Sequence, residues 1–205
     1  MPDMLQSHAG MMLDQSACNL LFLSARTANK FTDEPVSDDT LKAIYDLVKW
    51  APTSLNQQPL RAVIVRSQSA RQRLVDCMYG ANKEKTAKAP VTIIFAADID
   101  FHEHLPRLYP VYPQAKDEMF ADRKARMESA RLNAALEIAY FILGVRAAGL
   151  AAGPMTGFDA EKLQHAFFAD GRYQALVVMN IGKPAAGAWF DRLPRLEYGD
   201  VFSVV

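Results

Sequence analysis

The chain has 205 residues and a mass of 22.8 kDa, and its 23 Lys and Arg side chains equal its 23 Asp and Glu side chains. This length fits one domain with a sizeable core, and the balanced charge argues against the broad positive field that attracts nucleic acid or an anionic membrane. Small molecules are therefore the expected partners. Only Cys18 and Cys77 occur, and they form no Cys-x-x-Cys pair. Two such cysteines argue against a disulfide framework or a zinc site and favour a location in the reducing cytoplasm. A single disulfide between Cys18 and Cys77 stays open.

The N-terminal region shows no targeting signal. No Lys or Arg precedes Arg26 and no long apolar run occurs there, so we expect no secretory leader and a loosely ordered start over residues 1–12. The most apolar long segment, about 130–150, carries Arg131, Glu137 and Arg146. Charges are expensive across a bilayer, so this segment predicts a buried helix and no membrane span.

The apolar periodicity, read in chain order, predicts alternating helical and extended segments. They are a helix near 13–24, a helix from the Ser37 cap to Lys49 or Trp50, a strand near 61–65, a helix near 69–78, a polar segment 82–88, a strand near 91–97, helices near 116–127 and 129–148, a helix from Asp159 to 168, and a strand near 175–181. The helix at 129–148 has small or apolar residues on every face, which predicts burial all round in a dimer core.

Residues 98–127 are predicted to form a lid region. Their first half contains Pro106, Pro110 and Pro113 among aromatic residues, and an irregular segment this long in a compact domain is often a lid or binding segment. Asp98, Asp100, His102, Glu103 and His104 also cluster there. Pro106 makes a continuing strand with both histidines on one face unfavourable, so we interpret the cluster as a charged loop and expect no metal.

This order of elements predicts an α+β sandwich in one domain. It lacks regular β-α-β alternation, and no Gly-x-Gly-x-x-Gly follows a strand, which disfavours a Rossmann sheet. The chain also has no Walker A motif and no Gly-x-Ser-x-Gly elbow, the usual signals of NTPases and serine hydrolases.

The segment Ala51–Pro59 (APTSLNQQP) directly follows an amphipathic helix and holds Thr53, Ser54, Asn56 and Gln58 between two prolines. Proline fixes φ, so this loop is predicted to be stiff. Ordering polar groups in advance lowers the cost of binding a polar ligand. Alone, the segment also fits an ordinary helix-to-strand turn.

Five segments together resemble the FMN-dependent nitroreductase family, in the family's order, from about Phe22 to the end of the chain. They are Ala25–Phe31 (ARTANKF), the Pro52–Pro59 loop, Asn82–Lys85 (NKEK), Gly149–Asp159 (GLAAGPMTGFD) and Arg192–Leu196 (RLPRL). Each segment alone is weak evidence, whereas five in order are a strong signal.

The resemblance implies one nitroreductase-like domain over residues 1–205, an α/β/α sandwich around a mainly antiparallel central sheet, which dimerises with two shared FMN sites. It implies NADH or NADPH as electron donor and no catalytic side chain, because the flavin N5 atom carries the hydride. Lys85 has an electrostatic role at the flavin N1 in this scheme.

The resemblance also assigns binding residues. The cofactor contacts are Arg26, Thr27, Arg192 and Arg195 at the phosphate, Asn29, Asn82 and Lys85 at the pyrimidine, Pro154, Met155, Thr156 and Gly157 beside N5, and Pro52, Thr53, Ser54 and Asn56 from the other subunit. In the lid, Tyr109, Phe120 and Arg123 are the expected substrate contacts.

Within the family the chain is most similar to the malonic semialdehyde reductases. The likeness lies in Trp50-x-Pro-Thr-Ser-x-Asn, Leu105-Pro106, Gly153-Pro-Met-x-Gly-Phe-Asp and the RLPRL segment. Two positions depart from the family, since many members have an Arg at Asn29 and a Trp at Leu60.

We therefore expect a cytoplasmic, homodimeric FMN-dependent NAD(P)H oxidoreductase that reduces a 3-oxo acid such as malonic semialdehyde, or nitroaromatics and quinones. The cationic side chains of the lid region either bind the substrate carboxylate or only keep a mobile surface loop in contact with water. A flavin-binding carrier or sensor without turnover is the alternative, and a metal hydrolase is a third. The physiological acceptor and the preference between NADH and NADPH stay open.

Overall fold

The computed structural model describes residues 12–205, so the predicted loosely ordered start lies outside the described residues except for Met12. Its helices are α1 (Gln15–Cys18), which continues as a π-helix over Asn19–Leu23, α2 (Asp38–Val48), α3 (Gln68–Cys77), α4 (Asn82–Lys88), α5 (Leu105–Leu108), α6 (Ala115–Glu118), α7 (Arg123–Ala147), α8 (Ala160–Phe167) and α9 (Tyr198–Val201). Single 3₁₀ turns cover Ser54–Asn56 and Phe101–His104. The strands are β1 (Leu60–Val65), β2 (Val91–Asp98), β3 (Ala151–Met155) and β4 (Tyr173–Gly182).

The four strands form one antiparallel sheet in the order β1-β2-β4-β3. The register pairs Leu60 with Ala97, Val91 with Ile181 and Ala151 with Gly182. A bulge interrupts the β2–β4 ladder between Phe95 and Ala96. Every residue of β2 is buried, as a central strand covered on both faces requires.

Helices cover both faces of the sheet. On one face, Ile93, Phe95 and Met179 pack with α2 and α7. On the other, Ile94 and Val178 pack with α3 and α8. Alternating strand residues therefore feed two separate cores, and the predicted α+β sandwich with an antiparallel central sheet is confirmed.

The predicted lid region, residues 98–127, contains short helices around a third core cluster. Phe101 and Phe120 are buried there in edge-to-face contact, 5.0 Å between ring centroids. Ala130 and Ala134 of α7 complete the cluster. The region is thus anchored to the domain by burial of apolar surface.

Two elements differ from the sequence-based expectation. The break expected between helices near 116–127 and 129–148 lies earlier in the chain: α6 ends at Glu118, and the 25-residue helix α7 begins at Arg123, where Asp122 caps it by accepting a hydrogen bond from the Ala125 N–H. The segment Ala151–Met155, for which no regular element was predicted, is strand β3 at the edge of the sheet. An edge strand tolerates Pro154, which has no N–H to donate to a ladder.

Helix α7 is not buried all round in the single chain. Leu132, Leu136 and Tyr140 recur every four residues on one face and are 66%, 45% and 41% exposed. Such a stripe on a monomer is typical of a contact surface. In the described part of the chain, no helix is long and apolar enough to cross a membrane.

Candidate functional site

A cavity of about 200 Å³ lies where the segment after α1, the start of α4 and strand β3 meet. It is lined by Thr27, Asn29, Asn82, Lys85, Pro154 and Met155, with Ala28, Gly153 and Asn180. The first six are among the residues that the resemblance assigns to the cofactor, and the structure brings them together although they span more than a hundred positions. Inside it, the Lys85 ammonium donates a 2.6 Å hydrogen bond to Asn29 Oδ1.

Backbone hydrogen bonds hold these segments together. The Ala28 N–H donates to the Ala152 carbonyl at 3.1 Å and the Asn29 N–H to the Ala188 carbonyl at 2.9 Å, which fixes the segment carrying Arg26 and Thr27 along β3. The Tyr79 N–H donates to the Gly157 carbonyl at 3.0 Å. Asn82 and Lys85 at the start of α4 are thereby placed beside the end of β3.

Two glycines make this close packing possible. A Cβ on Gly153 would lie 2.7 Å from the Ala28 carbonyl oxygen, and one on Gly157 would lie 2.6 Å from Asn82 Nδ2. Asn82 Nδ2 also donates to the Gly157 carbonyl at 3.2 Å. The glycines thus serve contacts between protein segments, which set the shape of the cavity wall.

A second cavity, of about 250 Å³, adjoins the first through Thr27 and Asn29. Arg26, Arg192 and Arg195 line it, with Asp191 and Phe190. Arg26 donates to the Phe190 carbonyl at 3.2 Å, Arg192 to the Ala25 carbonyl at 3.3 Å, and Arg195 to the Leu193 and Pro194 carbonyls at 3.0 Å.

In the part of the chain that the structure describes, the cations of the two cavities have no carboxylate partner. Among residues 12–205, none of Arg26, Lys85, Arg192 and Arg195 forms an ion pair within 4.0 Å. Three guanidinium groups at one end match the geometry of a phosphate. A fixed ammonium at the other end suits an anionic or carbonyl-rich ring. The donor set therefore fits a phosphorylated, polar, ring-bearing cofactor such as FMN.

The loop carrying Pro52, Thr53, Ser54 and Asn56 lies elsewhere. Pro52, Thr53 and Asn56 line a separate cavity of about 340 Å³ together with Lys49, Trp50, Tyr45 and Gln58. Trp50 is 79% exposed. Within one chain, the structure thus places Pro52, Thr53 and Asn56 in a different cavity from the nine predicted cofactor residues that line the first two cavities.

The loop is strained and held in place by its own hydrogen bonds. Leu55, Asn56 and Gln58 have φ of 49°, 51° and 44°, a region that costs non-glycine residues of order 1–3 kcal/mol each and clusters at functional sites. The Gln58 N–H donates to Thr53 Oγ1 at 3.2 Å, and Asn56 Nδ2 donates to the Leu108 carbonyl at 2.9 Å.

Polar residues of α7 anchor the loop from below. The Ser54 N–H donates to Asn133 Oδ1 at 2.7 Å, and the fully buried Gln57 accepts from Asn133 Nδ2 at 3.2 Å. The Leu60 N–H donates to Glu137 Oε2 at 3.0 Å. Burial raises the pKa of Glu137 to about 7, although the backbone N–H of Leu60 and the charge of Arg61 act in the opposite direction.

The three residues predicted to contact substrate are spread apart. Phe120 is a core residue, 7% exposed, and Tyr109 packs partly buried against the same cluster. Arg123 donates to the Gly171 carbonyl at 3.1 Å on the surface.

In the 98–104 cluster, the buried Asp98 carboxylate binds Arg61 and Arg172. No group of three or more His, Cys, Asp and Glu among residues 12–205 is arranged to hold a metal ion.

Several residues that line or support the site could not be predicted, because the sequence around them shows no distinctive motif. Asn180 lines the first cavity and accepts a 2.7 Å hydrogen bond from Thr92; a lone Asn in an apolar strand was the available clue. Asn133 and Glu137 stand out only as polar residues in an apolar helix. Gln57 belonged to the recognised loop, but its complete burial follows from tertiary contacts alone.

Comparison with known proteins gives one consistent result. Residues 23–183 match the model of the Nitroreductase family. A Streptomyces griseus protein provisionally named an NADH dehydrogenase/NAD(P)H nitroreductase is 57% identical over 195 residues, which cover 95% of this chain and 99% of that one.

Solved structures share the fold at low sequence identity. A nitroreductase-like protein of Bacillus subtilis superposes with a TM-score of 0.84 at 20% identity, covering 94% of this chain and 100% of that one. An Exiguobacterium sibiricum protein, solved in complex with FMN, superposes with a TM-score of 0.80 at 20% identity, covering 91% and 96%.

Proposed function

Since this chain belongs to the nitroreductase family, we propose that it is an FMN-dependent NAD(P)H oxidoreductase whose flavin sites are shared between two identical subunits. The proposal rests on the pair of adjoining cavities lined by four cations that have no carboxylate partner among residues 12–205. Bound FMN would supply the hydride-transfer chemistry at N5, between NADH or NADPH and an oxidised acceptor.

The residues of this chain act as holders of the cofactor. Arg26, Arg192 and Arg195 bind the phosphate, with the Thr27 hydroxyl beside them. Asn82 and Lys85 bind the pyrimidine end, where the ammonium stabilises negative charge. Asn29 orients Lys85 through their 2.6 Å hydrogen bond, so the position where many relatives have Arg has a supporting role here.

Residues at the end of β3 form the wall beside the reacting ring atoms. Pro154 and Met155 supply side chains, whereas Thr156 and Gly157 supply backbone. Because Gly153 and Gly157 are packed against Ala28 and Asn82, this wall is rigid. Rigid, preorganised groups lower the barrier without reorganisation during the reaction.

The second subunit completes the site. Nitroreductase family members are typically dimeric, and the exposed stripe of Leu132, Leu136 and Tyr140 offers an apolar contact face. The strained loop of Thr53, Ser54 and Asn56 lies apart from the cations of its own chain, so we assign it to the flavin of the partner. The dimer works on small molecules in the cytoplasm.

Complementation between inactive chains tests the shared site. One chain carries Arg26→Ala and the other Ser54→Ala with Asn56→Ala. A mixed dimer then has one site with every group intact, so 1:1 mixing after dissociation should restore about one quarter of wild-type activity. Mixtures no more active than either parent would contradict the shared site, and two chains carrying Arg26→Ala provide the matched control.

The acceptor is a small 3-oxo acid of the malonic semialdehyde type, with weaker activity toward nitroaromatics and quinones. Supporting this are the resemblance to malonic semialdehyde reductases and a lid region rich in cations. Steady-state assays with both substrate classes decide the point. Robust nitroaromatic or quinone reduction with undetectable oxo-acid turnover would discard this substrate class and leave the flavin chemistry standing.

A further inference from the structure

A cavity of about 290 Å³ lies between β1, α7 and the lid region, and it shares no lining residue with the two cavities that contain Arg26, Lys85, Arg192 and Arg195. Phe95 and Phe141 form an apolar wall, in edge-to-face contact with 5.0 Å between ring centroids. Titratable groups form the rest of the boundary: Tyr45, Arg61, His104, Arg107 and Glu137. Ligand pockets span roughly 300–1,000 Å³, so this cavity suits a ligand smaller than a nucleotide.

One cation of the cavity is free to bind an anion. Arg61 is occupied, because it pairs with Asp98 at 2.9 Å and donates to the Gln58 and Leu60 carbonyls at 3.0 and 2.8 Å. His104 lies 3.8 Å from the same Asp98 carboxylate. Arg107 is exposed and has no hydrogen bond or ion pair from its side chain to any residue of the described part of the chain.

We propose that this cavity binds the carboxylate of a short organic acid, with Arg107 as the cationic partner and Glu137 as a hydrogen-bond donor beside it. The fork of a guanidinium group matches a carboxylate. Leu60 and Leu108, which also line the cavity and are only partly buried, offer apolar surface to the carbon chain. The identification of this acid as the acceptor that the flavin reduces rests on the proposed function.

Glu137 makes the binding depend on pH. Its Oε2 accepts the hydrogen bond from the Leu60 N–H, which leaves Oε1 free to carry a proton and to donate a hydrogen bond to the ligand. Burial raises the pKa of this carboxyl to about 7, so the neutral and ionised forms are both populated near neutral pH. The ionised form repels an anion, and acid binding therefore takes up a proton and weakens as pH rises.

The cavity lies next to the loop that the proposed function assigns to the partner's flavin. Tyr45 and Gln58 line both this cavity and the one that contains Thr53 and Asn56. Asn56 is tied to the Leu108 carbonyl beside Arg107. An acid held here would contact the lid region and the loop together.

Calorimetric titration of the FMN-loaded protein with 3-hydroxypropanoate tests the proposal without turnover. This acid is the reduced counterpart of malonic semialdehyde, and 1,3-propanediol is the matched probe without the carboxylate. With a carboxyl pKa of about 7, the neutral fraction of Glu137 predicts about tenfold tighter binding at pH 6 than at pH 8. The diol should show no measurable heat.

Two variants separate the roles. Glu137→Gln keeps an amide that can accept from Leu60 and donate to the ligand, so it should bind at pH 8 as tightly as at pH 6. Arg107→Ala should weaken binding about ten- to a hundredfold at both pH values. Lys124→Ala removes another exposed lid cation and is the control that should bind as wild type.

Equal binding at the two pH values by the wild type, or equal affinities of the Arg107 and Lys124 variants, would overturn the proposal. FMN content and circular dichroism confirm that each variant is folded. Flavin bleaching by NADH without acid binding would refute this site and leave the proposed function standing. Acid binding with the predicted pH dependence but no flavin reduction would support this site and refute the proposed function.

Discussion

Replacing Glu137 by Gln should make the protein more stable, and the gain should grow with pH. In the folded protein the pKa of Glu137 is raised by burial to about 7, against an ordinary value of 4.5. Between these two values the folded state holds a proton that the unfolded state has released, so the free energy of unfolding falls as pH rises. The shift corresponds to about 3 kcal/mol in full, of which roughly 2 to 3 kcal/mol is lost between pH 5 and pH 8.

Urea unfolding at pH 5, 6, 7 and 8, at fixed protein and FMN concentrations, measures this effect. The free energy of unfolding of Glu137→Gln minus that of the wild type should rise by roughly 2 kcal/mol from pH 5 to pH 8. Glu128→Gln, an exposed change on the same helix, is the control and should show no such rise. A difference between Glu137→Gln and the wild type that stays constant with pH would show that Glu137 does not hold a proton at neutral pH in the folded protein.

Two further predictions concern the cations of the flavin site. Arg195→Ala should weaken FMN binding about ten- to a hundredfold, because a charge-assisted phosphate contact contributes roughly 1.5–3 kcal/mol. Fluorescence titration with FMN checks this, with Arg131→Ala, which replaces an exposed arginine of α7, as the control. Identical titration curves for the two variants would contradict the assignment. Lys85→Ala should lower the flavin midpoint potential by roughly 20 to 60 mV, about 1–3 kcal/mol for two electrons. Lys83→Ala, which replaces a neighbouring exposed lysine, should leave the potential unchanged. Equal potentials of the two variants in dye-linked titrations would count against the placement of Lys85.

The fold was largely predictable because its local signals agree with its tertiary structure. Ser37 and Asp159 cap α2 and α8 as predicted, accepting from the N–H groups of Thr40 and Lys162. Strand β3 was missed because Gly153 and Pro154 are typical of turns, and only pairing with β4 at the edge of the sheet makes the segment extended.

The site was predictable in part. The resemblance named residues that the structure brings together from distant segments, such as Thr27, Asn82 and Lys85. The supporting contacts were not predictable, since the bond between Asn29 and Lys85 joins positions 56 residues apart. The anchoring of the loop by Asn133 likewise depends on how α7 packs. The sequence shows which groups are polar, whereas tertiary packing decides which of them meet.

The absorbance spectrum of the purified protein, before and after addition of NADH or NADPH, decides whether the chain is an FMN-dependent oxidoreductase. We expect a yellow protein whose flavin, released by heat, is FMN, and whose absorbance bleaches with the nucleotide and returns with an acceptor. Recovery of FAD, or of no flavin after reconstitution, would contradict the cofactor assignment. Bound FMN that neither nucleotide bleaches would instead indicate a flavin carrier or sensor and contradict the oxidoreductase.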